Sequence, residues 1–531
     1  MKLQKPIRKM AVLLSLLVMT TLASCSKKDS MEVIPSDVDM AFTVNLRRVL
    51  GQTGCEITDE EIKLPEQYKI FAQSLPEEVR ETIIKTYRSI DTERIAGFGY
   101  IKIGEPEYYI VTGIKDEKTL DDVLTGELEL KRENTEGFAS YAPANGRSDM
   151  SVLIKDGLMW LAPGNDPAKT AKSINRIVKK AEKSSIAGMS ALNEVLTAGK
   201  AFNFVANAQP MMATCQQAIA MLDPALAALS GSVIEKIKGY WSVSNTDLEG
   251  TELTWVTKYI KPESGEVLCP ESLKNVTPAF LDFVPDYYCM AWAGATSREY
   301  LIPFCNAVES LIDNKLSGAK AAMAKKAIGW VRMIDGTIGM AAGAADPTAL
   351  IYGGDPVKAR TGFVAVLEMT EGAPAKVIAE LVEILKELSM NNIEATSESA
   401  MITLSPEFKL FLRASGNSLV VSNEPITTGN KSPLAKWFED NQGAAVFDLP
   451  SLAPLTANSC TFGFRANLSY DKGIGTAKIE FPRAEGNIID VITRMIGGFN
   501  AGNNEYVRAD EADTFSDDSY QLSNADTLFI E

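Results

Sequence analysis

The chain contains no histidine in 531 residues, and that absence closes more chemistry than any other feature of its composition. Ser or Cys triads with an imidazole base, His-ligated zinc, iron or copper, and the usual near-neutral general base are all excluded. Carboxylate, Lys, Tyr, Ser and Cys chemistry remain. Basic residues are scarce as well: 53 Lys and Arg stand against 69 Asp and Glu, a net charge of −16. Nucleic acid, whose capture needs clustered Lys and Arg to release counterions, is therefore not an expected partner. CxxC, GxSxG, Walker A and GxGxxG patterns are missing, Gly97-Phe98-Gly99 lacking the third glycine. No cofactor and no metal is expected. Past the N-terminal segment no run of 18 uncharged apolar residues occurs, so no second membrane segment is expected.

What is present begins with an address. Lys2, Lys5, Arg8 and Lys9 precede an apolar run of 14 residues from Met10 to Ala23, which suits a cleaved secretory segment and is short for a bilayer span. Leu22-Ala23-Ser24-Cys25 follows directly and resembles the bacterial lipobox, which implies cleavage of residues 1–24 and acylation of Cys25. Loss of four positive charges takes the mature chain to −20. Two or more acyl chains anchor stably whatever the charge of the body. By analogy with lipoprotein sorting, Ser26 rather than Asp after the Cys directs the protein to the outer membrane, facing either periplasm or surface. Residues 25–33 then read as the acylated Cys and a polar tether.

The remainder repeats itself. Ile34-Pro35 to Cys55 aligns without a gap to Val284-Pro285 to Cys305, with Pro35/Pro285, Met40/Met290, Ala41/Ala291, Arg48/Arg298 and Cys55/Cys305 identical. The same order of elements continues downstream. Strands at Ile95–Ile103 and Tyr108–Ile114 match Thr337–Ala342 and Phe363–Met369, and helical stretches Lys118–Leu124 and Pro374–Leu388 follow them. A hairpin around Lys155-Asp156-Gly157 matches one around Ser415-Gly416-Asn417. A strand and turn at Ala201–Pro210 echoes Ala444–Pro450. Each unit closes on a long hairpin, Tyr240–Val243 with Leu253–Tyr259, and Phe462–Leu468 with Thr476–Phe481. The expected fold is α+β: two tandem copies of a mixed unit with antiparallel hairpins and interspersed helices, 34–268 and 284–483, joined by a linker at 269–283. Helices at Lys169–Ala181 and Pro210–Leu229 belong to the first copy, and Leu301–Val331 with a Gly/Pro loop, Gly343–Pro356, to the second. Residues 484–531 supply a short helix near Ile488–Met495 and an acidic tail.

The lipobox, the short tether, the Ile34-Pro35-Ser36-Asp37-Val38-Asp39 entry into the first strand and the two-copy layout resemble a group of Bacteroidetes lipoproteins classed as a domain of unknown function. The motifs that carry this resemblance are structural, so it implies no catalytic residues.

Several constellations remain to be weighed. The six cysteines besides Cys25 read as buried thiols; if any pair is bridged, Cys269–Cys289 is the first candidate. Ser317-Gly318-Ala319-Lys320 has SxxK spacing without the accompanying KTG and SDN elements, and reads as a solvated helix. Asp510, Glu511, Asp513, Asp517 and Asp518 lack EF-hand spacing and read as a solvated tail. Four of the six tryptophans fall in expected strands, where alternation favours a core role. Tyr287 and Tyr288, after Pro285, together with Trp292 are the candidate ligand contacts. Asp29-Ser30-Met31 and Asp526-Thr527-Leu528 match an Asp-Ser/Thr-apolar acceptor pattern, making Ser30 and Thr527 candidate O-glycosylation sites.

The functional expectation is a non-enzymatic outer-membrane lipoprotein that binds an envelope protein or glycan, with the groove between the copies as its site. A His-free hydrolase using a carboxylate pair or Ser/Lys would instead present two carboxyls in a cleft. A structural or assembly factor would present a large apolar patch.

Overall fold

The computed structural model describes residues 29–491 apart from 53, 59–60, 64–75, 102–106, 144–149, 211, 214–215, 217–234, 270–273, 287, 345–360, 391, 431, 450–463, 483, 485 and 489–490. Cys25, Cys215, Tyr287, Cys460, Thr527 and the acidic tail lie outside the described residues, as do nearly all of the expected helices Pro210–Leu229 and Ile488–Met495.

Among the described residues, and apart from a small separate hairpin of Glu56–Ile57 with Ile62–Lys63, ten strands make the first half: Met40–Val44 (β1), Ile90–Tyr100 (β2), Glu107–Ile114 (β3), Leu130–Thr135 (β4), Phe138–Pro143 (β5), Met150–Lys155 (β6), Leu158–Pro163 (β7), Phe202–Asn207 (β8), Trp241–Glu249 (β9) and Glu252–Ile260 (β10). Ten more make the second: Met290–Thr296 (β11), Ile334–Ala344 (β12), Thr361–Met369 (β13), Ile393–Ala395 (β14), Ser399–Ser405 (β15), Phe408–Ser415 (β16), Ser418–Ser422 (β17), Gly443–Leu449 (β18), Phe464–Asp471 (β19) and Ile474–Glu480 (β20). All belong to one mixed-order antiparallel sheet of 20 strands. Traced from neighbour to neighbour, the first half runs β4-β5-β6-β7-β3-β2-β1-β8-β9-β10. The second runs β14-β15-β16-β17-β13-β12-β11-β18-β19-β20. The last strands of the two halves close the seam, β10 pairing β20 from Glu252↔Glu480 to Lys258↔Ile474. A register break falls in β2 between Ile90 and Ile95 and in β12 between Ile334 and Ile338, the local twist that a bulge gives a long strand.

Helices are interspersed between the strands, and the fold mixes α and β around this large antiparallel sheet, as the α+β expectation has it. Pro167–Ala181 starts where Asp166 caps the amides of Ala168 and Lys169, and its Ile174 and Ile177 are buried on one stripe. Ala373–Glu387 buries Val377, Ile378 and Val382 in the same way. The long helical stretch expected at Leu301–Val331 is two helices, Arg298–Lys315 and Gly318–Val331. Helix Glu77–Ser89 and the hairpins β4–β5 and β14–β15 were not among the elements expected from the sequence. β4 is polar and open to solvent along most of its length, so the alternation that betrays a half-buried strand is missing.

Cross-strand register assigns each core to a face. On the back, Ala41, Phe98, Trp160, Val205 and Val243 of the first half pack beneath Met31, Ile34, Ile174 and Leu196. Ala291, Val364, Val366 and Val446 of the second half do so beneath Phe280, Leu281 and Phe438. On the front, among the described residues, both wings are covered, and Ile488 and Val491 pack over Leu248 with Leu253 and Ile479 beside them. Ile114, Ile154 and Met159 lie against Leu120 and Leu124 at one wing, and Met369, Leu412 and Leu419 lie against Val377, Ile378 and Val382 at the other.

Two segments expected as connections are folded parts of the body. Residues 29–33, read as tether, form the 3-10 turn Ser30–Val33 capped by Asp29, with Met31 and Val33 in the back core. Pro278–Phe283, read as linker, is a 3-10 turn that buries Phe280 and Leu281 in the second half. Apolar residues in both outweigh the polar neighbours that suggested a mobile connection.

The end of β9 is pinned by charge. Asp247 accepts from Arg48 Nε at 2.6 Å and from Lys200 Nζ at 2.9 Å. Burial alone would raise the Asp247 carboxyl, but hydrogen bonds from Arg48 and Lys200 outweigh it and hold it below the ordinary carboxylate range. A depressed folded-state value stabilises above the unfolded value of about 3.9 and is lost as pH falls through the lower folded value. Urea midpoints of wild type and Asp247→Asn should therefore differ at pH 6 and converge toward pH 2. A gap that does not change with pH refutes the assignment.

Candidate binding face

Between the wings, and away from the corner where Ile488 and Val491 cover Leu248, the central front of the sheet exposes its large side chains, and its composition can be read off the ladder pairs. One row crosses nine consecutive strands as Met340, Trp292, Ala445, Leu468, Ala477, Trp255, Thr246, Phe202 and Val44. The row beside it is Ile338, Gly294, Gly443, Tyr470, Gly475, Thr257, Ser244, Phe204 and Phe42. On the other side run Ala342, Met290, Phe447, Ala466, Ile479, Leu253 and Leu248. None of these positions carries a charge. At about 4.8 Å per strand the first row spans roughly 38 Å.

The large side chains of this face are exposed: Trp255 at 47%, Trp292 at 45% and Leu468 at 48%, with Phe202, Met290 and Met340 close behind. Soluble surfaces scatter such residues singly, and a contiguous patch of them marks an interaction site. The charges of the same strands point to the back. There Lys478 Nζ meets Glu252 at 2.6 Å, and Arg465 bridges Glu480 at 2.8 Å and Asp448 at 3.1 Å. The middle of the sheet is thus inverted relative to an ordinary half-buried sheet, whose open face is the polar one.

Polar tips gather at one end of the trough. Tyr470 neighbours Tyr300 and Tyr259, and Lys236 Nζ stands 4.9 Å from the centroid of the Tyr300 ring. Tyr300 is itself exposed, on the first turn of helix Arg298–Lys315.

The sequence candidates fall on both sides of this description. Trp292 lies in the centre of the open face. Tyr288 does not: it is buried, and its hydroxyl donates to Glu424 at 3.1 Å, so the loop that suggested an exposed aromatic is folded into the back core. Ser30 is 4% exposed beneath the same kind of turn, which removes it as an accessible acceptor for a sugar. Trp255, Leu468 and Phe202 were not singled out in the sequence. The signal was the two-residue alternation of β10, Leu253-Trp255-Thr257-Tyr259 against Glu252-Thr254-Val256-Lys258, which an ordinary strand would turn the other way.

A cavity of about 310 Å³ is lined by Asp29, Asp91, Glu93 and Arg94 among others, but each carboxylate has an assigned partner. Asp29 pairs with Arg94 at 2.7 Å, Glu93 with Arg47 at 2.9 Å, and Asp91 accepts the Glu93 amide at 3.0 Å. Burial pushes Asp91 up from the ordinary carboxylate range. Ser317 is the extended residue before helix Gly318–Val331 and Lys320 lies inside that helix; both are exposed, and the two do not share a helix face. Cys269 and Cys289 are free thiols, as are Cys55 and Cys305, so the candidate pair is unbridged; Cys305 alone of these four is buried and Cys269 is exposed, which corrects the expectation of buried thiols. Among the described residues no cluster of three metal-binding side chains occurs, and no helix is long and apolar enough to cross a membrane.

No protein-family model matches the chain, and no curated protein matches it. One solved structure, described as crystal form I of TP0453, is similar over 45% of this chain and 81% of its own, at 9% identity and a TM-score of 0.23, too slight a likeness to carry an argument about fold or function.

Proposed function

We propose that this protein is a lipid-anchored outer-membrane lipoprotein of the Bacteroidetes kind, and that it acts as a non-enzymatic binding module through the open front of its sheet. The observation that carries the reading is the uncharged row from Met340 to Val44 with Trp255, Trp292 and Leu468 half-exposed along it. A face of this kind is stabilised by covering its apolar area, at about 25 cal/mol per Å² removed from water. Trp292 stands between Met340 and Ala445, and Trp255 between Ala477 and Thr246; no charged or amide side chain shares these rows, which favours an apolar partner over a glycan.

The two halves are two copies of one unit in this reading, supported by their common strand order and by the matched register breaks in β2 and β12. The groove between the copies is then the trough itself, with the seam β10–β20 as its floor. Acylation at Cys25 leaves residues 26–28 between the lipid and Asp29. At about 3.5 Å per residue this holds the body within roughly 14 Å of the bilayer. The cavity that Asp29 lines also takes in Asn45 and Asn203, next in sequence to Val44 and Phe202 at one end of the apolar row.

A photo-crosslinking residue placed at 255 or at 258 in living cells tests the reading. Position 255 faces front and 258 faces back on the same strand, so both report the same fold. Adducts are expected from 255 and not from 258. Equal labelling from both, or from neither, removes the front face as the binding site.

A further inference from the structure

The large and small residues of the apolar row alternate strand by strand: Trp292 on β11, Ala445 on β18, Leu468 on β19, Ala477 on β20 and Trp255 on β10. Side chains stand roughly perpendicular to a sheet. The alternation therefore leaves two clefts, one over Ala445 and one over Ala477, with Leu468 as the ridge between them. Their centres are two strands, about 10 Å, apart. Phe447 and Ile479 close one end, being the next front-facing residues along β18 and β20. At the other end the first cleft continues over Gly443, where a side chain would meet only ordinary contacts. Over Gly475 the ring edge of Tyr470 lies 3.8 Å from where a Cβ would sit.

That second end is where the polar tips gather. Tyr470, Tyr300 and Tyr259 each present an apolar ring and a hydroxyl, the arrangement that suits the boundary between hydrocarbon and water. Lys236 over Tyr300 is exposed, and among the described residues it pairs with no carboxylate. Cation, tyrosine rim and charge-free clefts thus follow one another along a single direction.

We propose that the occupant of the trough is a diacyl phospholipid from the adjacent bilayer, its two acyl chains in the clefts over Ala445 and Ala477 and its phosphate beside Lys236. This rests on the front face being the binding face and names what it binds. Two clefts match two chains, and each runs four residues along its strand, from Gly443 to Phe447 and from Gly475 to Ile479, about 13 Å, close to the roughly 15 Å depth of one leaflet's hydrocarbon. A folded protein partner would need shape complementarity and polar pairing at its rim, and the floor supplies little of either: Thr257 Oγ1 donates to its own sheet, to the Val243 carbonyl at 3.3 Å. Chain burial requires neither.

The test is contact quenching of tryptophan. Full-length protein is mixed with vesicles of phosphatidylcholine brominated in its acyl chains. Trp255 and Trp292 should be quenched, whereas the buried Trp160 and Trp241 should not. Filling the clefts by Ala445→Leu with Ala477→Leu keeps the face apolar but removes the space, and should weaken vesicle binding roughly tenfold, ~1.4 kcal/mol. Lys236→Gln, at an exposed site that cannot threaten folding, should weaken it less, about threefold, with phosphate-bearing lipid only. Quenching that survives both changes means lipid binds elsewhere and overturns the inference. No quenching of wild type, while a crosslinker at 255 still captures a protein, overturns the lipid and leaves the binding face standing. No quenching and no capture removes both.

Discussion

Trp255→Glu is expected to abolish docking on the front face while leaving folding unchanged. The side chain sits at the centre of the seam, opposite Ala477 on one side and Thr246 on the other, and nearly half of it is in solvent. Its removal therefore costs little packing, and a substitution at such a position usually moves stability by no more than about 0.5 kcal/mol. Binding is another matter. Any apolar partner covering the row would have to bury a carboxylate with no cation on its own face to pair with, since Lys258 and Lys478 point to the back. A central aromatic anchor carries about 2–4 kcal/mol of binding, a factor of roughly 30 to 700. Trp255→Phe should retain most of it and Lys258→Glu nearly all. The measurement is partner or vesicle binding beside a thermal melt. Unchanged binding by Trp255→Glu would take the seam out of the binding surface.

Trp160→Ala should do the reverse. Trp160 is 1% exposed in the back core, its ring meeting Phe98 edge-on at 6.3 Å between centroids, with Tyr109 stacked on Phe98 at 5.4 Å. Truncation leaves a cavity that close-packed neighbours cannot fill, at a cost of about 3–5 kcal/mol. Urea unfolding should report that loss. A cost under about 1 kcal/mol would mean the site collapses freely and that the back core is looser than its packing implies.

These two tryptophans also mark where sequence reading stops. Trp160 lies in a continuously apolar strand buried on both faces, Trp255 in one with two-residue alternation, and alternation separates the faces of a strand without saying which face is covered. A core role was the natural expectation for either. It describes Trp160, whose face is sealed by Met31, Ile174 and Leu196, and fails for Trp255, which is 47% exposed because the front-face clusters among the described residues cover the wings and the Leu248 corner but not the centre of the row. Tyr288 fails in the opposite sense: beside Pro285 it had the look of an exposed loop aromatic, but the Glu424 carboxylate, distant in sequence, draws it inward. β4, polar, and β14, only three residues long, lie at the ends of the traced strand order and offered no period to find.

The sequence by itself determined the chemistry that is excluded, through its missing histidines and charge balance, and the order of the main strands and helices, through local periodicity that each segment carries alone. It also carried the expectation of an anchored body, in the first 25 residues. Tertiary structure decided what local pattern cannot: that β10 and β20 pair to make one sheet of the two halves, and that residues 29–33 belong to the body rather than the tether. It also left the uncharged face of the central strands open and turned their charges to the back. The physical reason is common to all three. Which side of an amphipathic element meets water depends on what else packs there, and those partners lie tens to hundreds of residues away.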